Sequence, residues 1–201
     1  MGDDALPPSQ VWGKKFVIYA ALGVPKIDPK QWKLKIDGLV STPLEYAYDQ
    51  LTSLPQDSNI RSFHCVTRWS IKDVAWEGLQ LRRLLEPSGV SAEANWLMFH
   101  CADGYSAPVP LEDALREDSM LAFKLNGRTL SAEQGFPARP LIPGRYAWKS
   151  AKWVNRMELL ADYRDGYWEM YGYHERGDVW EEERFKGHSG TPVRRKAIGT
   201  A

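Results

Sequence analysis

Cysteine is scarce in this 201-residue chain, which has only two. Two thiols cannot staple a disulfide framework, so stability must come from a hydrophobic core. Net charge is missing as well: 26 Lys and Arg balance 26 Asp and Glu. That balance argues against a nucleic-acid partner, which would call for a cationic surplus. No apolar run approaches the roughly 20 residues that cross a bilayer as a helix, so no membrane span is expected. The opening Met-Gly-Asp-Asp-Ala-Leu-Pro-Pro carries no cationic patch, twin arginine or apolar stretch, and a cytoplasmic location is therefore expected. Repeats and low-complexity tracts are also lacking, which leaves a single domain over residues 1–187 and a tail over 188–201.

What the chain has in excess is aromatic: nine Trp, nine Tyr and six Phe. Around them the pattern is one of short elements. Trp32 to Ile36 alternates with period two before Asp37-Gly38, as a half-exposed strand does before a turn. Asn59 to Val66, Trp96 to Cys101, Met120 to Leu125 and Trp153 to Leu160 read as further extended segments, with Asn126-Gly127 as a hairpin turn. Short helical turns are expected within residues 44–54, over Leu79 to Glu86 ahead of Pro87, and from Val109 onward. Strands interspersed with short helices, without regular βα alternation, indicate an α+β domain with mixed strands.

Each cysteine follows a histidine, as His64-Cys65 and His100-Cys101. The pairing tempts one toward a two-His, two-Cys zinc site. Adjacent strand residues point to opposite faces, however, so both members of a pair would struggle to reach one tetrahedral metal. Between Gln134 and Met157 lie five cations, Arg139, Arg145, Lys149, Lys152 and Arg156, and no carboxylate. Interleaved with Tyr146, Trp148 and Trp153, such a segment suits a phosphate or pyrophosphate, which arginine grips through its planar fork.

Several motifs in series carry a resemblance. His64-Cys65-Val66-Thr67-Arg68-Trp69-Ser70, Trp76-Glu77-Gly78, and Asp103 through Leu111 are followed by Leu121 to Gly127, Gly135-Phe136-Pro137-Ala138-Arg139, Ile142-Pro143-Gly144 and Lys149-Ser150-Ala151-Lys152-Trp153. In this order they resemble the molybdopterin domain of sulfite oxidases, and the segment Gly172 to Phe185 resembles its short prokaryotic members. The resemblance covers roughly residues 10–187. It implies the fold of that domain and one molybdenum held by a pterin dithiolene and a single thiolate, that of Cys65. A soft thiolate suits this role because it donates charge to a high-valent metal.

By position the resemblance also makes Tyr105 the active-site tyrosine, able to donate a hydrogen bond to a substrate oxygen. Lys15, Cys101, Gln134, Arg139, Lys149, Ser150, Ala151 and Lys152 take places that contact the pterin or its phosphate. Animal sulfite oxidases cluster arginines around their anion pocket, and two of those places here hold Ile18 and Ser70. The implied activity is thus oxygen-atom transfer to or from a small substrate, with sulfoxide or N-oxide reduction open beside sulfite oxidation. The chain carries no haem domain, which implies a separate electron-transfer protein. Read on composition alone, the aromatic excess admits another class: a module that stacks a sugar or other flat ligand on Trp and Tyr without redox chemistry.

Overall fold

Apolar residues that alternate along strands fold this chain into two sheets, which a computed structural model describes over residues 5–187. The expected tail, 188–201, lies outside the described residues. One sheet orders β3 (Leu44–Ala47), β2 (Lys33–Gly38), β11 (Val154–Leu160), β6 (Trp96–Cys101) and β7 (Ser106–Pro110). The other runs β1 (Val11–Trp12), β5 (Trp69–Gln80), β8 (Met120–Leu125) and β10 (Arg139–Leu141), with β4 (Asp57–His64) on β5 and β9 (Arg128–Thr129) on β8. Helices are few and short: α1 (Tyr48–Ser53), α2 (Leu81–Leu85) and α3 (Leu111–Ala114). The expected α+β class with mixed strands is what the chain forms. Among the described residues no helix is long and apolar enough to cross a membrane.

The core follows from strand alternation. In β8, Leu121 and Phe123 face the main core between the sheets, while Met120 and Ala122 face a second cluster with Phe63 and Trp76. A strand covered on both faces reads as a nearly continuous apolar run, and Met-Leu-Ala-Phe does. Gly78 lets β5 and β8 close up: a Cβ there would lie 2.0 Å from the Leu121 carbonyl oxygen.

Where the structure departs from expectation, the cause is local. The helical expectation over 79–86 holds only from Leu81, because Leu79 and Gln80 finish the 12-residue β5. β5 escapes pattern reading because Lys72 and Asp73 interrupt its apolar rhythm, and Asp73 sits at φ 51°. The edge strand β7 is masked by Pro108 and Pro110, which an edge tolerates since one row of its N–H groups has no partner strand.

Candidate active site

β4 ends at His64 and hands Cys65 to a tight turn. Cys65 N–H donates to Trp69 O at 2.9 Å, and Arg68 N–H donates to Cys65 O at 3.0 Å. Arg68 closes the turn in the left-handed region at φ 76°, where a side chain costs about 1–2 kcal/mol. This geometry lifts Cys65 out of the strand alternation and leaves it half-buried on the wall of a cavity of about 980 Å³. Its Sγ lies 3.2 Å from Thr67 Oγ1, a cavity residue that sequence reasoning passed over.

Two cations line the same cavity. Arg139, 7% exposed, donates from its two terminal nitrogens to Gln134 O (3.0 Å) and Ser150 O (2.8 Å) and lies over the rings of Phe63 and Trp76. Its Nε is buried without a hydrogen-bond partner. Burial pushes the guanidinium down to about 10. Lys152 donates to Tyr19 O (2.7 Å) and Glu133 O (3.1 Å). Burial, and then the nearby Arg139, push its ammonium down to about 8. Gly135, at φ 108°, makes room for this lysine, since a Cβ there would lie 3.0 Å from Lys152 Cβ. Both cations are thus held by carbonyl dipoles, which orient positive charge without cancelling it.

The other three cations of the acid-free run are neutralised elsewhere, which corrects the expectation that the whole run faces an anion. Arg145 is clamped by Asp113 (2.8 Å) and by Asp178. Arg156 pairs with Asp37 (2.9 Å) and Glu158 (3.2 Å). Lys149 is fully buried and off the cavity, bonded to Glu169 at 2.7 Å, to Pro108 O at 2.8 Å and to Glu175 O. It lies under the wall, where Trp148 Nε1 donates to the same Glu169 oxygen at 2.8 Å. A local run cannot reveal this sorting, because Asp113, Asp178, Asp37 and Glu169 are all distant in sequence and only Glu158 lies close to its cation.

Of the remaining expected residues, Gln134, Ser150 and Ala151 line the cavity. Gln134 and Ser150 reach Arg139 through their carbonyls, while their side chains accept from Ser131 N–H and Ile142 N–H. Tyr105 lines the cavity, and its hydroxyl donates to Trp148 O at 2.7 Å. Burial holds this phenol well above its usual range, hence protonated. Lys15 and Cys101 are corrections. Lys15 is exposed, and the cavity wall begins one residue later, at Phe16. Cys101 sits in the main core, 7% exposed and off the cavity, and burial pushes its thiol well up. His64 and Arg68 do not line the cavity: Arg68 is exposed and His64 is bonded to Ser70. His100 turns instead to Glu158 (2.9 Å), so the two His-Cys pairs do not converge as a zinc site would require.

Much of the exposed lining is uncharged, although Asp103, Glu133 and Lys186 also line the cavity. Val17, Ile18 and Tyr19 form one side and Met170 and Tyr171 another, all more than half exposed. The latter pair lies in a C-terminal stretch, 168–173, whose contribution to the wall sequence reasoning missed; only the clustering of aromatics there hinted at it. Of the tryptophans behind the stacking-platform reading, Trp76 and Trp153 are buried and serve as packing, whereas Trp12 and Trp180 are exposed.

Two sheets with a cysteine-bearing turn and a carbonyl-held cation pair on one cavity fit a molybdopterin-binding oxidoreductase domain. A family model described as the oxidoreductase molybdopterin binding domain matches residues 21–168, and the chain belongs to that family. It is 36% identical over 181 residues to the uncharacterized oxidoreductase YuiH of Bacillus subtilis, with 90% of this chain and 91% of that protein covered. It is 27% identical over 165 residues to the protein-methionine-sulfoxide reductase catalytic subunit MsrP of Campylobacter jejuni, covering 74% of this chain and 55% of that one. The mitochondrial sulfite oxidase of Drosophila melanogaster is 28% identical, with 79% of this chain and 32% of that protein covered. Among solved structures, the sulfane dehydrogenase SoxCD from Paracoccus pantotrophus superposes with a TM-score of 0.64 at 26% identity, over 70% of this chain and 41% of that one. The chain thus spans most of the Bacillus protein but about half or less of the others.

The residues fit the cofactor that the family binds. Arg139 has an orphaned buried Nε, and the Lys152 ammonium is held by two carbonyls and the Trp153 ring with no carboxylate hydrogen-bonded to it, a donor set that an anionic pterin phosphate would satisfy. Cys65 offers the soft donor on the same cavity.

Proposed function

We propose that this protein transfers an oxygen atom to or from a small uncharged substrate, with reduction of a sulfoxide or N-oxide as the favoured direction. The observation that carries the reading is the exposed uncharged lining of the cavity that holds Cys65: Val17, Tyr19, Met170 and Tyr171 offer dispersion contacts, and Ile18 offers no fork for an anion such as sulfite. The relatives named for protein-methionine-sulfoxide reduction support it.

Bound in the cavity, the molybdenum–pterin group supplies two-electron oxygen-atom-transfer chemistry. Cys65 would hold the metal, Arg139 and Lys152 the anionic end of the pterin, and the carbonyls of Gln134 and Ser150 keep Arg139 aimed. Trp69, Trp148 and Trp153 exclude water from the buried end. Tyr105, protonated and on the wall, offers hydrogen bonding to a substrate oxygen if its hydroxyl turns from Trp148 O. Reduction of a sulfoxide breaks the S–O bond, consumes two protons and two electrons, and releases the oxygen as water. The electrons come from a separate one-electron carrier protein, and the setting proposed for the pair is the cytoplasm.

Assaying dialkyl sulfoxides, N-oxides and sulfite with artificial electron donors and acceptors tests the reading. Turnover of neutral sulfoxides or N-oxides, with sulfite a poor substrate, is expected; sulfite oxidation outpacing every neutral substrate would overturn it.

A further inference from the structure

The turn that presents Cys65 is braced from behind by a residue 55 positions away in sequence. Gln10, 6% exposed, immediately precedes β1, whose parallel pairing with Trp69 and Ser70 carries it beneath the turn. Its Nε2 donates to Cys65 O at 3.2 Å, and its Oε1 accepts from Ser70 Oγ at 3.1 Å. Ser70 Oγ in turn lies 2.8 Å from His64 Nδ1.

The polarity of this chain follows from the chemistry of its end. A carbonyl oxygen only accepts, so the amide nitrogen of Gln10 must face Cys65 and the amide oxygen must face Ser70. Ser70 has one proton and gives it to Gln10, so it accepts from His64, which therefore carries a proton on Nδ1. Buried polar groups are costly unless bonded, and here all three are mutually satisfied.

The Gln10 bond is not needed to close the turn, because Arg68 N–H already donates to the Cys65 carbonyl. Adding a second donor there pins the peptide from which the sulfur departs. The chain that follows Gln10 and β1 then runs on into Phe16 to Ala21, which wall the cavity.

We propose that Gln10 is a positioning residue for the metal-binding thiolate: its amide, locked in one orientation by Ser70 and His64, fixes the Cys65 peptide and thereby the direction in which Sγ meets the metal. Hydrogen-bonded partners behind a ligand orient it and tune its donor strength, and losing them commonly costs about 10–100-fold in metal affinity or activity. The inference rests on Cys65 being the ligand. Ser70 and Gln10 act through Cys65 and touch neither substrate nor cofactor.

Gln10→Met keeps the length of the side chain and removes the donor; Ser70→Ala keeps the donor and removes its lock; the double variant leaves no orphaned hydroxyl. In holoprotein from a pterin-competent host, Gln10→Met and the double variant should shift the thiolate-to-metal charge-transfer band and the midpoint potential, with Ser70→Ala shifting them in the same direction but less. In cofactor-free protein, Gln10→Met should change the rate of Cys65 alkylation by iodoacetamide about tenfold; Cys101 is buried and contributes little. A Gln10→Met protein with wild-type band, potential and alkylation rate overturns the proposal, even where its melting temperature falls, since that would make Gln10 a brace of the fold alone. Wild-type protein without molybdenum overturns the cofactor reading by itself, and the alkylation rate then still decides whether Gln10 governs the Cys65 thiol.

Discussion

Replacing Cys65 with serine removes the sulfur and almost nothing else, so it isolates the ligand from the fold. Cys65→Ser should retain the wild-type circular dichroism and lose essentially all turnover and the thiolate-to-metal absorption; full activity would show that another group holds the metal. Lys152 supplies a pH signature. Its ammonium is pushed down to about 8, so between that value and the ordinary lysine range the unfolded chain holds a proton that the folded chain has released. Stability of the cofactor-free protein from this group therefore rises with pH across that window. Anion binding runs the other way: a pyrophosphate probe should bind best below a pH of about 8 and more weakly above it, since the charged ammonium is the binding form. Titration calorimetry on either side of that pH checks it, and Lys152→Met should flatten the dependence. At this scale the motif residues Cys65, Tyr105, Gln134, Arg139, Ser150 and Lys152 were legible in the sequence as cavity residues, because each sits in a contiguous motif. Lys149 was misread because its partner Glu169 is 20 residues away and no local signal reports a buried pair.

The elements that wall the site are tied together by that buried pair. Lys149 ends the single helical turn Ala147–Lys149, and Glu169 begins the turn Glu169–Tyr171, so their contact fastens the C-terminal stretch to the wall beneath Tyr105. Both side chains are fully buried, so breaking the pair by removing one member leaves a charge without compensation. Lys149→Met should destabilise the protein by about 3–5 kcal/mol, whereas Lys149→Met with Glu169→Leu should recover much of that loss. Denaturant unfolding of the two single variants and the double one measures it. A Lys149→Met protein of wild-type stability that binds pyrophosphate poorly would return Lys149 to the anion site. Elements with a clean rhythm were legible before the structure: β6 and β8 run over the expected residues. β5 was not, because a central strand that turns sharply at Asp73 and carries Lys72 lacks a simple period, its pairing being set by β4 and β8 on either side. β1, two residues long, was beyond sequence reasoning, although it is what brings Gln10 under Cys65.

In the whole molecule, zero net charge conceals a sorted interior. Three cations of one acid-free run are spent on internal ion pairs and two are left facing a cavity that also holds the half-buried cysteine. Part of the aromatic excess has a like resolution, since Trp69, Trp148, Trp153 and Trp168 line that cavity. Membership of the molybdopterin-binding oxidoreductase family implies the cofactor, and a cavity of about 980 Å³ lined by Cys65, Arg139 and Lys152 suits it. The direct measurement is the metal content and visible spectrum of the full chain purified from a host that makes the pterin. About one molybdenum per chain is predicted, from one thiolate on one cofactor, with a charge-transfer band that disappears in Cys65→Ser. Protein that folds in such a host and carries no molybdenum would contradict the account.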